Sequence, residues 1–300
     1  MAINRAQLAK ELEPGLNALF GLEYARYENE AAQIFEQESS DRAFEEEVML
    51  VGFGQANVKA EGSAVGFDTA SESFTARYVH DTIALAFALT EEAVEDNLYD
   101  SLSARYTKAL ARSMAYTKQV RGANVLNDSF TVAGGDGVSL INAAHPTALG
   151  GTFRNRSTTD ADLNETSLEQ AMIDIAGFID ERGLKIAMKG QKLILPVNSQ
   201  FIADRILEST LRVGTADNDI NAMKNMGMLP GGYTVNHYLT DTDAWFIKTD
   251  CPNGFKHFVR AALATGMEGD FDTGNMRYKA RERYSFGYSD PRAAYGSSGS

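Results

Sequence analysis

Residues 83–92 read Ile83-Ala84-Leu85-Ala86-Phe87-Ala88-Leu89-Thr90-Glu91-Glu92, and within them the apolar periodicity changes. Ile83, Leu85, Phe87 and Leu89 alternate with alanines, the period-two pattern of a strand with one buried face. Beyond Thr90, the residues Leu98, Leu102, Tyr106, Leu110 and Met114 step by four, which marks one face of a helix. Thr90 is a good N-cap, and Glu91 and Glu92 suit the positive end of the helix dipole. Lys118 and Arg121 suit the other end, and Gly122 is a natural residue to follow the last turn. The pattern predicts one helix over 90–121, roughly 45 Å long at 1.5 Å per residue. An ordinary globular helix has about 11–12 residues.

Upstream of this junction, residues 48–89 read as a long two-stranded β excursion. Glycines at 52, 54, 62 and 66 punctuate its first half, and Lys59 to Gly66 form a turn-rich tip. A hairpin of this kind has too little to pack on within its own subunit. Residues 1–47 read as an arm. Leu8, Leu12, Leu16, Leu19 and Phe20 recur at helical spacing, but Pro14 and Gly15 interrupt them, and Glu45, Glu46 and Glu47 form an acidic cluster. Such an arm is expected to order when an adjacent subunit covers it.

Downstream, the predicted helix opens a region at 90–165 whose second half is rich in Gly, Asn, Asp, Ser and Thr and reads as loops and short strands. A second α/β region spans 166–265. Thr166 and Glu169 form a capping box for a helix carrying Leu168, Met172, Ile175 and Ile179, ended by Gly183. Leu193 to Val197 reads as a buried strand, and Asn198 or Ser199 caps a helix with Phe201, Ile202, Ile206 and Leu207. Tyr233–Leu239 and Ala244–Lys248 are strand candidates split by the turn Asp241-Thr242-Asp243. Residues 266–300 hold a returning strand, Met276–Tyr284, with alternating charges, and a low-complexity tail from Gly296 expected to fray.

The net charge of -13, from 41 acidic and 28 basic residues, opposes general nucleic-acid binding, which needs the other sign. One cysteine, Cys251, excludes an intrachain disulfide framework. The N-terminus lacks the pattern of a signal peptide, and the apolar run at 83–89 is far short of the roughly 20 residues of a membrane span. A soluble product made in a reducing cytoplasm is expected.

No stretch carries a readable chemistry. His80, His145, His237 and His257 belong to no metal-ligand spacing and are assigned structural roles. Asp270-x-Asp272-x-Gly274 and Asp217-x-Asp219 lack the downstream glutamate of a calcium loop. Gly134-Gly135-Asp136-Gly137 is followed by no Lys-Ser or Lys-Thr, so it is not a phosphate loop. Cys251 sits among acidic neighbours that disfavour a thiolate. No catalytic, cofactor-binding or metal residue is therefore assigned, and the chain is expected not to be an enzyme.

The order arm, β excursion, long helix, separate α/β region and returning strand resembles tailed-phage major capsid proteins of the Hong Kong 97 type. Three local matches carry the resemblance: Leu193-Ile194-Leu195-Pro196-Val197-Asn198-Ser199 before a helix; Tyr238-Leu239-Thr240-Asp241-Thr242-Asp243-Ala244-Trp245-Phe246; and the ending from Phe271 to Arg292. The last is similar to Mu-like head subunits and their siphovirus relatives, in which a charged strand leads to an aromatic-Asp-x-Arg terminus.

The resemblance implies an α+β fold with an N-arm, an extended E-loop hairpin, a peripheral domain with a spine helix, and an axial domain. It implies hexamers and pentamers closing into an icosahedral shell around double-stranded DNA, located in the virion and assembled in the bacterial cytoplasm. Portal, scaffold or protease, and decoration proteins are the implied partners; DNA would be enclosed without sequence-specific binding, and no membrane is involved. The arm reads as too short for the scaffolding domain of some members, so a scaffold is expected to be a separate protein or already cleaved. The family's lysine–asparagine cross-link has conceivable positions at Lys59 and Asn275, but no residue pattern demands it. Two rival readings remain: an encapsulin-type nanocompartment shell, and a soluble two-domain α/β enzyme or ligand-binding protein.

Overall fold

A computed structural model describes residues 5–90, 92, 99–212, 219–270 and 273–300, with side chains described from residue 13 of the first helix and residue 103 of the second. Glu91, Leu98, Asp217, Phe271 and Asp272, and the side chains of Leu8, Leu12 and Leu102, lie outside the described residues.

Two bodies of core share one chain. In the first, β1 (Glu36–Ser39), β10 (Phe255–Gly269), β11 (Met276–Tyr288) and β4 (Asp81–Leu89) form a four-stranded sheet in the order β1-β10-β11-β4. On β11, Tyr278, Ala280 and Tyr284 are buried while Arg277, Lys279 and Arg281 face out, as strand alternation requires. Two helices, α1 (Arg5–Arg26) and α2 (Tyr99–Asn127), cover the inner face. Leu16 and Phe20 of α1 meet Leu110, Ala111 and Met114 of α2, together with Tyr278 and Ala280 of the sheet.

The second core layers α3 (Glu165–Ala176), α4 (Gln200–Glu208) and α5 (Ala222–Met226) with a second sheet. That sheet contains β12 (Ala294–Ser297), β9 (Trp245–Thr249), β7 (Gly190–Leu195) and β8 (Tyr233–Val235), in that order. Leu193, Ile194 and Leu195 are fully buried, as the apolar run anticipates. The short pair β5 (His145–Pro146) and β6 (Thr152–Phe153) lies in the loop-rich segment between the two bodies.

A hairpin of β2 (Phe44–Val51) and β3 (Ser71–Val79) projects from the first body, with residues 52–70 at its tip outside any strand. The excursion is thus shorter than 48–89. β4 leaves it, because its alternating face finds a continuous antiparallel partner in β11, from Leu89 opposite Met276 to Asp81 opposite Tyr284.

Several local expectations are corrected. Pro14 does not break α1. It sits exposed on the outer side while Leu16 and Phe20 bury against α2, so apolar burial outweighs one lost backbone bond. The arm is therefore covered by its own subunit over this helix. The long helix runs on through Gly122 to Asn127, because Gly122 is there for contact and not to end the helix. A Cβ at this position would lie 2.9 Å from the Cβ of Ala31. The capping box is formed by Asn164 and Ser167, not by Thr166 and Glu169, and the helix ends at Gly177, leaving Ile179 to bridge Lys185 around a turn containing Gly183. Ser199 makes no capping bond, since a 3-10 turn at Val197–Ser199 feeds α4 directly. Phe201 and Ile202 are exposed, whereas Ile206 and Leu207 are buried. β8 stops at Val235, where the Asn236 side chain accepts from the Tyr238 amide and turns the chain. The tail is not frayed: β12 pairs with β9, and Tyr295 and Ser297 are fully buried.

Candidate assembly surface

The hairpin concentrates exposed apolar side chains. Val58 and Phe67 near its tip are wholly exposed, and Leu50, Phe53 and Val65 are mostly so. Large apolar side chains left exposed together on one projecting element make it a candidate interaction surface. The tip residues 58–67 stand clear of their own subunit, and Lys59 among them is exposed.

The hairpin's neck and root, by contrast, are fastened. Arg182, reaching from the loop after α3, donates from Nε to the Gly52 carbonyl at 3.0 Å and from a terminal nitrogen to the Thr69 carbonyl at 2.5 Å. Asp68 lies 3.5 Å from the same guanidinium and accepts from the Gly54 amide at 2.8 Å. Backbone amides of Gly54 and Thr69, then Arg182, hold the Asp68 carboxyl below its ordinary range. At the root, the glycine loop 133–137 lies directly on β3. A Cβ on Gly135 would sit 2.6 Å from the Thr75 carbonyl oxygen, so only glycine fits. The motif dismissed as a phosphate loop is thus a packing element of the hairpin base. A cleft of about 790 Å³ opens beside it, between Thr75–Tyr78, the end of α2 and Tyr288.

Two buried polar networks fix the segment between the bodies. Arg292 is almost fully buried. Its guanidinium contacts the Ile179 carbonyl at 2.7 Å, Glu181 at 2.7 Å and Asp290 at 3.2 Å, and lies 4.2 Å from the centre of the Phe153 ring. Glu181 also accepts from the Ala148 amide at 2.8 Å. The aromatic-Asp-x-Arg ending singled out in the sequence is the covalent frame of this network. In the second, Asn155 donates to the carbonyls of Leu140 at 2.6 Å and Pro291 at 2.9 Å, while its oxygen accepts from the Asn142 amide at 2.9 Å. His145 bridges that oxygen, 3.1 Å away, to Asp136 at 2.6 Å. Sequence reasoning missed Asn155 and Glu181. Nothing in their local spacing signals burial, because the partner that closes each network, Pro291 for Asn155 and Arg292 for Glu181, lies more than 100 residues away.

The remaining flagged residues are structural in setting. His80 lies between Ser40 and Ser285, and His237 pairs with Glu30 at 2.7 Å. His257 stacks on Phe286 with centroids 4.2 Å apart; burial and then nearby Lys118 push its pKa down to about 4. Cys251 is buried, which with nearby Asp290 pushes its thiol pKa up, away from thiolate chemistry. Among the described residues, no three His, Cys, Asp or Glu side chains converge as a metal site, and no helix is long and apolar enough to cross a membrane.

A projecting hairpin, a long helix laid under a four-stranded sheet, and a second layered α/β body together make the Hong Kong 97 type of capsid fold. The chain belongs to the phage capsid protein family, whose model, described as "Phage capsid protein", matches residues 73–297. Among solved structures it is similar to the virus-like particle from Pyrococcus furiosus (TM-score 0.57, 10% identity, covering 94% of this chain and 97% of that one). It is similar to a chain of Mycobacterium phage Che8 (TM-score 0.55, 16% identity, 89% of each chain). It is also similar to the capsid of Myoviridae phage XM1 (TM-score 0.53, 11% identity, 89% of each chain). No curated protein matches the sequence.

Proposed function

We propose that the chain is the major head protein of a tailed bacterial virus, and that it acts by assembly and not by catalysis. Copies form hexamers and pentamers, and these close into an icosahedral shell around double-stranded DNA. The protein then resides in the virion after assembly in the bacterial cytoplasm. A portal, a scaffold or protease, and decoration proteins are the expected partners. The observation that carries this reading is the hairpin, which is fastened at its neck but bare at its tip, with Val58 and Phe67 wholly exposed. Burying such side chains is worth about 1.5–3 kcal/mol each, and only another chain can bury them. In a ring, each contact of this kind is heterologous and repeats in every subunit.

Trimming residues 58–68 to a short Gly-Ser turn tests the idea. Circular dichroism and melting of the subunit should remain close to those of the parent, while light scattering should show loss or weakening of shells. Normal shells from the trimmed protein would remove the hairpin from the assembly contact. A second reading, a shell around protein cargo, is supported by the fold likeness to the Pyrococcus furiosus virus-like particle. The nature of the enclosed material, nucleic acid or enzyme, distinguishes the two.

A further inference from the structure

Helix α2 has a charge composition unlike the rest of the chain. From residue 101 to residue 127 it carries five cations, Arg105, Lys108, Arg112, Lys118 and Arg121, and no acid, in a protein whose net charge is -13. Two of the five are engaged: Lys118 contacts the buried Glu282 at 3.4 Å, and Arg121 pairs with Asp81. The other three are exposed and have no carboxylate partner among the described residues. They fall at i, i+3 and i+7, one stripe on the side of α2 turned away from Leu110 and Met114. On an exposed helix such positions usually alternate with acids that pair at i+4, and like charges there are destabilising.

The stripe borders a groove between α1 and α2. Lys108 and Arg112 line it with Tyr27, Tyr116 and Ser113, and its one acid, Glu23, is already occupied by Arg26 at 3.7 Å and by the Tyr27 hydroxyl at 3.3 Å. Tyr116, in the same groove, is half exposed beside the cations. Arginine, lysine and tyrosine are the side chains that contact phosphate oxygens. From Arg105 to Arg112 the stripe spans about 10 Å of helix, and duplex DNA carries one phosphate charge per roughly 1.7 Å of its axis, so the duplex supplies more than enough charge over that length.

We infer that the open face of α2 is the surface the subunit turns toward the enclosed nucleic acid, with Arg105, Lys108 and Arg112 in contact with duplex phosphates. This rests on the proposed role as a shell around DNA. It gives the shell a direction: α2 and the α1–α2 groove face the lumen, and the opposite face of the four-stranded sheet, with Lys279 and Arg281, faces away. Three contacts per subunit hold DNA weakly and without regard to sequence, in keeping with an acidic protein. The attachment would come from many subunits acting along one wall.

The test measures binding of a random-sequence 30-base-pair duplex to the full-length subunit by fluorescence anisotropy across a salt series. Three phosphate contacts give a slope near −2.7 in log K against log salt, or about a 40-fold loss of affinity between 50 and 200 mM. The triple variant Arg105→Gln, Lys108→Gln, Arg112→Gln should lose most of that slope. Arg105→Lys with Arg112→Lys should keep it, and so should Lys279→Gln with Arg281→Gln on the other sheet face. Circular dichroism confirms that each variant is folded, and light scattering on the same preparations reports shell formation separately. No salt-dependent binding by the parent protein, or an unchanged slope in the triple variant, would overturn the inference while leaving the capsid role intact. Loss of shells with an unchanged DNA slope would likewise overturn it and assign the stripe to another copy or an acidic protein. Failure of the parent protein to form shells would instead count against the capsid role itself.

Discussion

Replacing Arg292 by alanine should be among the most costly single changes in the second body. The side chain is 3% exposed, and its removal leaves the Glu181 carboxylate, itself 5% exposed, with only the Ala148 amide. The Ile179 carbonyl loses its 2.7 Å donor at the same time. Breaking a buried ion pair from one side costs about 3–5 kcal/mol, chiefly because the surviving charge remains buried and uncompensated. At about 2.1 cal/mol/K of unfolding entropy per residue, a 300-residue chain that loses 4 kcal/mol should melt about 6 °C lower. Urea denaturation of the disassembled subunit is the appropriate assay, with Arg292→Ala, Glu181→Gln and the double variant compared as a cycle. The double variant should be more stable than Arg292→Ala alone, since neutralising Glu181 removes the orphaned charge. A cost below about 1 kcal/mol for Arg292→Ala, or no recovery in the double variant, would refute the argument that this pair closes the junction between the bodies.

Two further outcomes follow from the geometry. Arg182→Ala should loosen the neck of the hairpin without unfolding either core, seen as faster amide exchange at Gly54 and Thr69 and unchanged exchange in β7; equal protection in both proteins would show that the Asp68 and carbonyl contacts do not restrain the hairpin. His257 should make the subunit less stable as pH falls. Its pKa is about 4 in the fold against about 6.5 unfolded, so its contribution is constant above pH 6.5, declines as the unfolded chain binds protons between 6.5 and 4, and stays lost below. Glu282, raised by burial, has the opposite slope over part of that range, so the difference between the parent and His257→Phe isolates the histidine. That difference should change by about 3 kcal/mol between pH 7 and pH 4, and parallel stability curves would contradict the assignment.

The order of parts was legible in the sequence wherever a periodic pattern had a partner of matching pattern. The alternating face at 83–89, the four-step stripe through Leu110 and Met114, and the apolar run at 193–195 all lie in regular elements. Boundaries were read less well, because tertiary contact decided them. Pro14 and Gly122 look like helix breakers locally but are carried through by packing against α2 and Ala31. The tail looks like a linker by composition, yet Tyr295 and Ser297 are buried where β12 pairs with a strand 46–52 residues upstream. The candidate surface at the hairpin tip was readable as turn-rich, poorly supported sequence. The network that positions it was not, because Asn155, Glu181 and Arg182 meet partners that no local window contains.

The claim that this chain is a shell subunit is tested most directly by the size and form of what the purified protein makes. Negative-stain electron microscopy with light scattering, with a scaffold supplied if assembly requires one, should show rings of five and six subunits or closed megadalton particles. A protein that remains a 32.7 kDa monomer under every assembly condition would contradict the account.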